Sequence, residues 1–200
     1  MARASKILFP NQVERAFPPS SFLSCEKDLE AILTRLFVED KTKGNYLKRL
    51  LMINTKDCLE TNPEYDEIVN KTSFKDLRDK KYIIIEPPIL FNENEEVKTR
   101  LHFVFDHFTP NSSNDYFRDC LIEIDILCHP EMWDIGNFRL RPLKIAGYID
   151  ALLNNARLSG LGTLAFVGAT EIVLSRSLSG YCLIYSAVHG NDDKLEDEET

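Results

Sequence analysis

The sequence predicts an α+β domain: a mixed, mainly antiparallel β-sheet with an amphipathic helix packed on one face, plus N-terminal helices and an arm. Three observations carry this. DCLIEIDILC (119–128) alternates side chains with the period of a strand. In RPLKIAGYIDALLNNA (141–156), Ala146, Ile149, Leu152, Leu153 and Ala156 recur at helical spacing. TLAFVGATEIVL (163–174) and GYCLIYSAVHG (180–190) then read as two further strands.

Taken in order, residues 1–20 form an extended arm, with Pro10, Pro18 and Pro19 breaking any periodicity and Ile7, Leu8, Phe9 and Phe17 making it sticky. A single α+β domain is expected over 21–190. Ser21 or Ser24 can cap a helix over SCEKDLEAILTRLFVED, with acids near its positive end and Leu29, Ile32, Leu33 and Leu36 as its apolar stripe. Gly44 and Asn45 interrupt, and NYLKRLLMI suggests a second short helix. Residues 54–80 read as a long polar loop holding at most a short helix at YDEIVNKT. KYIIIEPPIL is a strand that Pro87 and Pro88 end or confine to an edge. RLHFVFDHF, apolar on both faces, reads as a central strand.

In the 119–128 strand, Cys120, Ile122, Ile124, Ile126 and Cys128 point to the core, and Leu121, Glu123, Asp125 and Leu127 point away. A loop with the one tryptophan, Trp133, leads to Pro142 in the first turn of the amphipathic helix. Gly160 and Gly162 are read as its stop. Gly168 marks a break or bulge in the next strand, and the last strand, after a turn at Ser179–Gly180, closes the sheet.

Composition bounds the function. Of 200 residues 44% are hydrophobic, enough for a normal core, yet no apolar run approaches the ~20 residues of a membrane span. MARASKILFPNQVER lacks a signal-peptide core, so assembly in a cytoplasm and no membrane partner are expected. The net charge of −8 argues against a broad basic face for nucleic acid. Residues 191–200 are expected to form an acidic, disordered tail, whose stretch DDKLEDEE sets six acids against one lysine. Five irregularly spaced cysteines make no disulfide framework and are expected to be reduced core residues.

Glu123 and Asp125 share a strand face, about 7 Å apart by strand geometry. They are candidates for a solvated face or an acidic pore lining. With a histidine they would make the alternative, a small metal-dependent hydrolase. His102, His107, His129 and His189 around Cys128 lack the close pairing of structural zinc ligands. SGLGTL lacks the pattern of a phosphate loop, and no nucleophile elbow occurs. No catalytic residue, cofactor or metal is therefore expected. Arg139, Arg141, Lys144 and Arg157 form a basic cluster suited to nucleic acid or, more readily in an acidic chain, to carboxylates on a neighbour or on the chain itself. Trp133 is either an interface anchor or a plug for its own core.

The run IDILCHPEMWDI, then LRPLKIAGYIDALLNNARLSGLGTLAFVGATEIVL and GYCLIYSAVHG, resembles the neck proteins of tailed bacteriophages, in particular the tail terminator (tail completion) group. The resemblance spans residues 83–190. It implies a homo-oligomeric ring, usually hexameric, seated on the last ring of the tail tube protein. Such a ring stops tube polymerisation, faces a head-completion or connector protein, anchors the sheath in contractile tails, and resides in the virion neck. DNA would pass through the lumen without specific binding, with Glu123 and Asp125 as candidate lumen residues. The implied interface candidates are Phe9, Phe17, Trp133, Arg139, Arg141, Lys144 and Arg157. A head-completion (stopper) protein or another tail component is the alternative within that class.

Overall fold

A computed structural model describes residues 25–85, 97–113 and 117–190. The arm with Phe9 and Phe17, the Pro87–Pro88 pair and the acidic tail lie outside the described residues.

The expected α+β class holds. Helix α1 (Cys25–Thr34) runs on as a wider π turn over Arg35–Glu39. Asp40 ends that turn and caps α2 (Lys41–Met52), its side chain accepting from the Lys43 amide. Gly44 therefore does not interrupt, as the sequence suggested, but lies inside α2. A Cβ there would sit 2.9 Å from the Phe37 carbonyl oxygen, so glycine lets the two helical segments touch.

The stretch 54–80, expected as a loop with at most a short helix at YDEIVNKT, holds that helix as α3 (Pro63–Lys71) and a second one, α4 (Phe74–Asp79). Asn62 caps α3, with Pro63 in its first turn, and Ser73 and Asp76 form a reciprocal capping box on α4. Caps rather than a long apolar stripe start these elements. Buried Val69 and Leu77 hold them to the body.

The sheet has the order β1-β2-β3-β7-β6: β1 (Ile83–Ile84), β2 (Thr99–Pro110), β3 (Phe117–Cys128), β6 (Ala165–Val173) and β7 (Ser179–Gly190). Only the β1–β2 pairing is parallel. The central strand β3 buries the expected set, Cys120, Ile122, Ile124, Ile126 and Cys128, on one face. Helix α5 (Arg141–Leu153) covers that face through Ile145, Ile149, Leu152 and Leu153, beside Ile32, Leu36, Leu47 and Leu50 from α1, the π turn and α2. Burial of this many aliphatic side chains, each stabilising by about 1.5–3 kcal/mol, holds the two layers together.

Three boundaries differ from expectation. Helix α5 stops at Leu153, before the glycines, where Asn154 turns to extended backbone (ψ 125°) and Asn155 then takes a left-handed φ of 60° that asparagine tolerates. Gly160 and Gly162 belong instead to a small hairpin of β4 (Arg157–Leu158) and β5 (Gly162–Thr163). Strand β7 does not close the sheet. It lies between β3 and β6, so β6 forms the margin, and the register shift between Phe166 and Gly168 is the bulge expected at Gly168.

Candidate interaction surface

The basic cluster read from the sequence divides in three. Arg141 is 1% exposed and is no surface residue. Its guanidinium donates to four backbone carbonyls: Leu50 at 2.6 Å, Ile53 and Thr55 at 2.9 Å, and Met132 at 2.8 Å. These bonds satisfy carbonyls at the C-terminal end of α2, where a cation also meets the negative end of the helix dipole. Burial pushes the guanidinium pKa downward. Arg141 therefore ties α2 to the start of α5, a correction to its place among the interface candidates.

Arg139 and Lys144 remain at the surface. With Lys43, Phe138, Leu140 and Leu143 they line an open groove of about 600 Å³ along α5. Phe138 is fully exposed, and Leu140 and Leu143 are also exposed. Arg157 lies apart, exposed on β4. Trp133 is half-buried against the core and its ring lies 6.3 Å from that of Tyr181. Its indole nitrogen is buried. Trp133 thus packs on its own core while part of its surface stays open.

Glu123 and Asp125 share a face, as expected, opposite the helices. They are not equivalent. Asp125 Oδ2 lies 2.9 Å from His102 Nδ1 across the β2–β3 pairing, and the Asp125 side chain is only 16% exposed. Beside it the Cys182 thiol is pushed up to about 12, first by burial and then by its hydrogen bond to Asp125. Asp125 is thus held within the sheet, whereas Glu123 is half-buried. Cys128 and His189 sit at opposite ends of β3 and β7, because Cys128 pairs with Ser179 and His189 with Arg118. The histidine–Cys128 zinc grouping weighed from the sequence is therefore not assembled.

The larger surface feature was not read from the sequence. Strand β6 is an open margin nine residues long, and no described strand pairs with its outer side. Phe166, Val167 and Val173, with Leu174 just beyond, are all exposed along it. Phe166 packs edge-on to Tyr185 at 5.6 Å, and its amide donates to Asn154 Oδ1, fixing the start of the strand. A long margin with apolar side chains and free main-chain groups is a template for another chain, unless charge or twist blunts it. Here the bulge at Gly168 and the single charge of Glu171 are the blunting devices. The signal in the sequence was the composition of AFVGATEIV, but its place at the margin depends on strand order.

No curated protein matches the chain. A family model described as YomW matches residues 45–187, from inside α2 to near the end of β7. That covers well over half of the chain, including β6, Arg141 and the groove along α5. The chain belongs to the YomW family, a Bacillus phage-type protein family.

Proposed function

We propose that this protein is a structural subunit of a phage particle, a tail terminator that closes into a ring on the end of the tail tube. The observation that carries the reading is the open β6 margin with Phe166, Val167, Val173 and Leu174 exposed along it. A closed ring needs two different surfaces on each copy, so that one face of a subunit meets another face of the next. Strand β6 is one such surface. The groove beside Phe138, Leu140 and Leu143, on the amphipathic helix, is a second apolar surface of different shape. Membership of a phage-type family supports the setting.

In this reading the ring is a hexamer. One side of it meets the tail tube protein and the other the head-completion or connector protein, and in a contractile tail the ring also holds the sheath. Glu123 contributes negative charge toward the lumen, where it repels the DNA backbone. Asp125 serves mainly to hold His102. The test is electron microscopy of particles made without this protein. Overlong or unattached tails are expected, and particles of normal length and attachment would refute the assignment.

A further inference from the structure

We infer that Cys25, Asp28 and His189 form a binding site for a divalent cation of the zinc class. One donor atom from each of the three lies within 4.8 Å of the other two. Cys25 and Asp28 are three residues apart on α1 and so share one face of that helix. His189 comes from the far end of β7, on the helix-covered side of the sheet, two residues beyond Ala187. Asp28 and His189 are each 1% exposed, with Oδ2 and Nδ1 2.7 Å apart. The setting is tight. The Phe108 ring meets the imidazole edge-on at 6.0 Å, and a Cβ on Gly160 would come within 2.3 Å of Asp28 Oδ1.

The donor set selects the ion. Thiolate, imidazole and carboxylate suit zinc and its neighbours, whereas calcium and magnesium take oxygen ligands. Charge also fits, because one thiolate and one carboxylate neutralise a dication while the imidazole stays neutral. A buried cluster of no net charge avoids the desolvation cost of a lone buried anion. Bonds of about 2.0–2.3 Å place tetrahedral ligands roughly 3.5 Å apart, so small side-chain rotations close the observed cluster around an ion.

Cys25 also lines an open groove with Glu26 and Leu29, the route by which a solvent molecule would complete the coordination. All three residues fall outside 45–187, so the site belongs to the first described helix and the last strand rather than to the matched region.

The test uses the full-length chain, stripped of metal and titrated with Co2+ and then Zn2+. One Co2+ per chain is expected, with a thiolate-to-cobalt charge-transfer absorption that Zn2+ displaces. Cys25→Ser, at a half-buried position that spares the fold, should abolish that absorption and weaken Zn2+ binding at least tenfold. Asp28→Asn and His189→Gln should also weaken it at least tenfold, while His102→Gln, at the separate pair with Asp125, should leave it unchanged. Absence of stoichiometric binding by the wild-type chain, or wild-type binding by Cys25→Ser, would overturn the site. So would rapid alkylation of Cys25 by iodoacetamide that Zn2+ does not slow, since that marks an exposed nucleophile rather than a ligand.

Discussion

The two margins of the sheet are built in opposite ways. On one side β1 is two residues long, and both Ile83 and Ile84 are buried. Its neighbour α4 packs beside it, and the Tyr82 carbonyl just before it accepts from the Leu101 amide of β2. On the other side β6 is nine residues long, and Phe166, Val167 and Val173 are exposed. The same residue type, a β-branched aliphatic in an outer strand, thus has two different roles. At β1 it holds the fold together, and at β6 it is available to another chain. The difference teaches that strand composition alone does not tell a covered margin from an open one. What matters is which strand the topology leaves outermost and which one the helices cover.

Placing a charge at each margin sharpens the contrast. Ile83→Asp puts an unpaired carboxylate in the core and should cost about 4 kcal/mol or more, read as a lower midpoint in urea unfolding. Arg141→Met, in the helical layer that covers the sheet, leaves four backbone carbonyls without their donor. It should cost roughly 3 kcal/mol, whereas Arg139→Met, two residues away at the surface, should change stability by less than about 0.5 kcal/mol. Equal losses for the two arginines would contradict the clamp assigned to Arg141. Val167→Lys with Val173→Lys, at the open margin, should leave the unfolding free energy within about 0.5 kcal/mol of wild type. The same pair should reduce assembly measured by native mass spectrometry, since charge at a strand margin opposes pairing.

A weaker effect concerns alkaline pH. Burial pushes the thiols of Cys120, Cys128 and Cys182 up to about 12 from the ordinary 9.0. Above pH 9 the unfolded chain releases thiol protons that the folded protein retains. Folding stability therefore falls as pH rises from 9 toward 12. Urea titrations at pH 8 and pH 10 should show the lower midpoint at pH 10, and a triple serine variant should show a smaller difference. An unchanged difference in that variant would remove the thiols as the cause.

Much of the fold was legible because local pattern and tertiary role agreed. The alternation of 119–128, the stripe from Ala146 to Leu153 and the bulge at Gly168 all reappear in place. The short helix read at YDEIVNKT is α3, whereas α4 was hidden because it is short and polar, held by the capping box at Ser73 rather than by a long stripe. Arg141 and Arg139 look alike in sequence. Only the packing of α2 against α5 brings the carbonyls of Leu50, Ile53 and Thr55 to one of them. The grouping of Cys25, Asp28 and His189 joins the first described helix to the end of the last strand, a contact that no spacing rule encodes.

The central claim is that β6 is where one copy meets the next. The direct measurement is amide hydrogen exchange on the full-length protein, before and after ring assembly. The account predicts that the amides of 165–173 slow on assembly while those of Ile83 and Ile84 change little. A ring that forms with the exchange of 165–173 unaltered would contradict it.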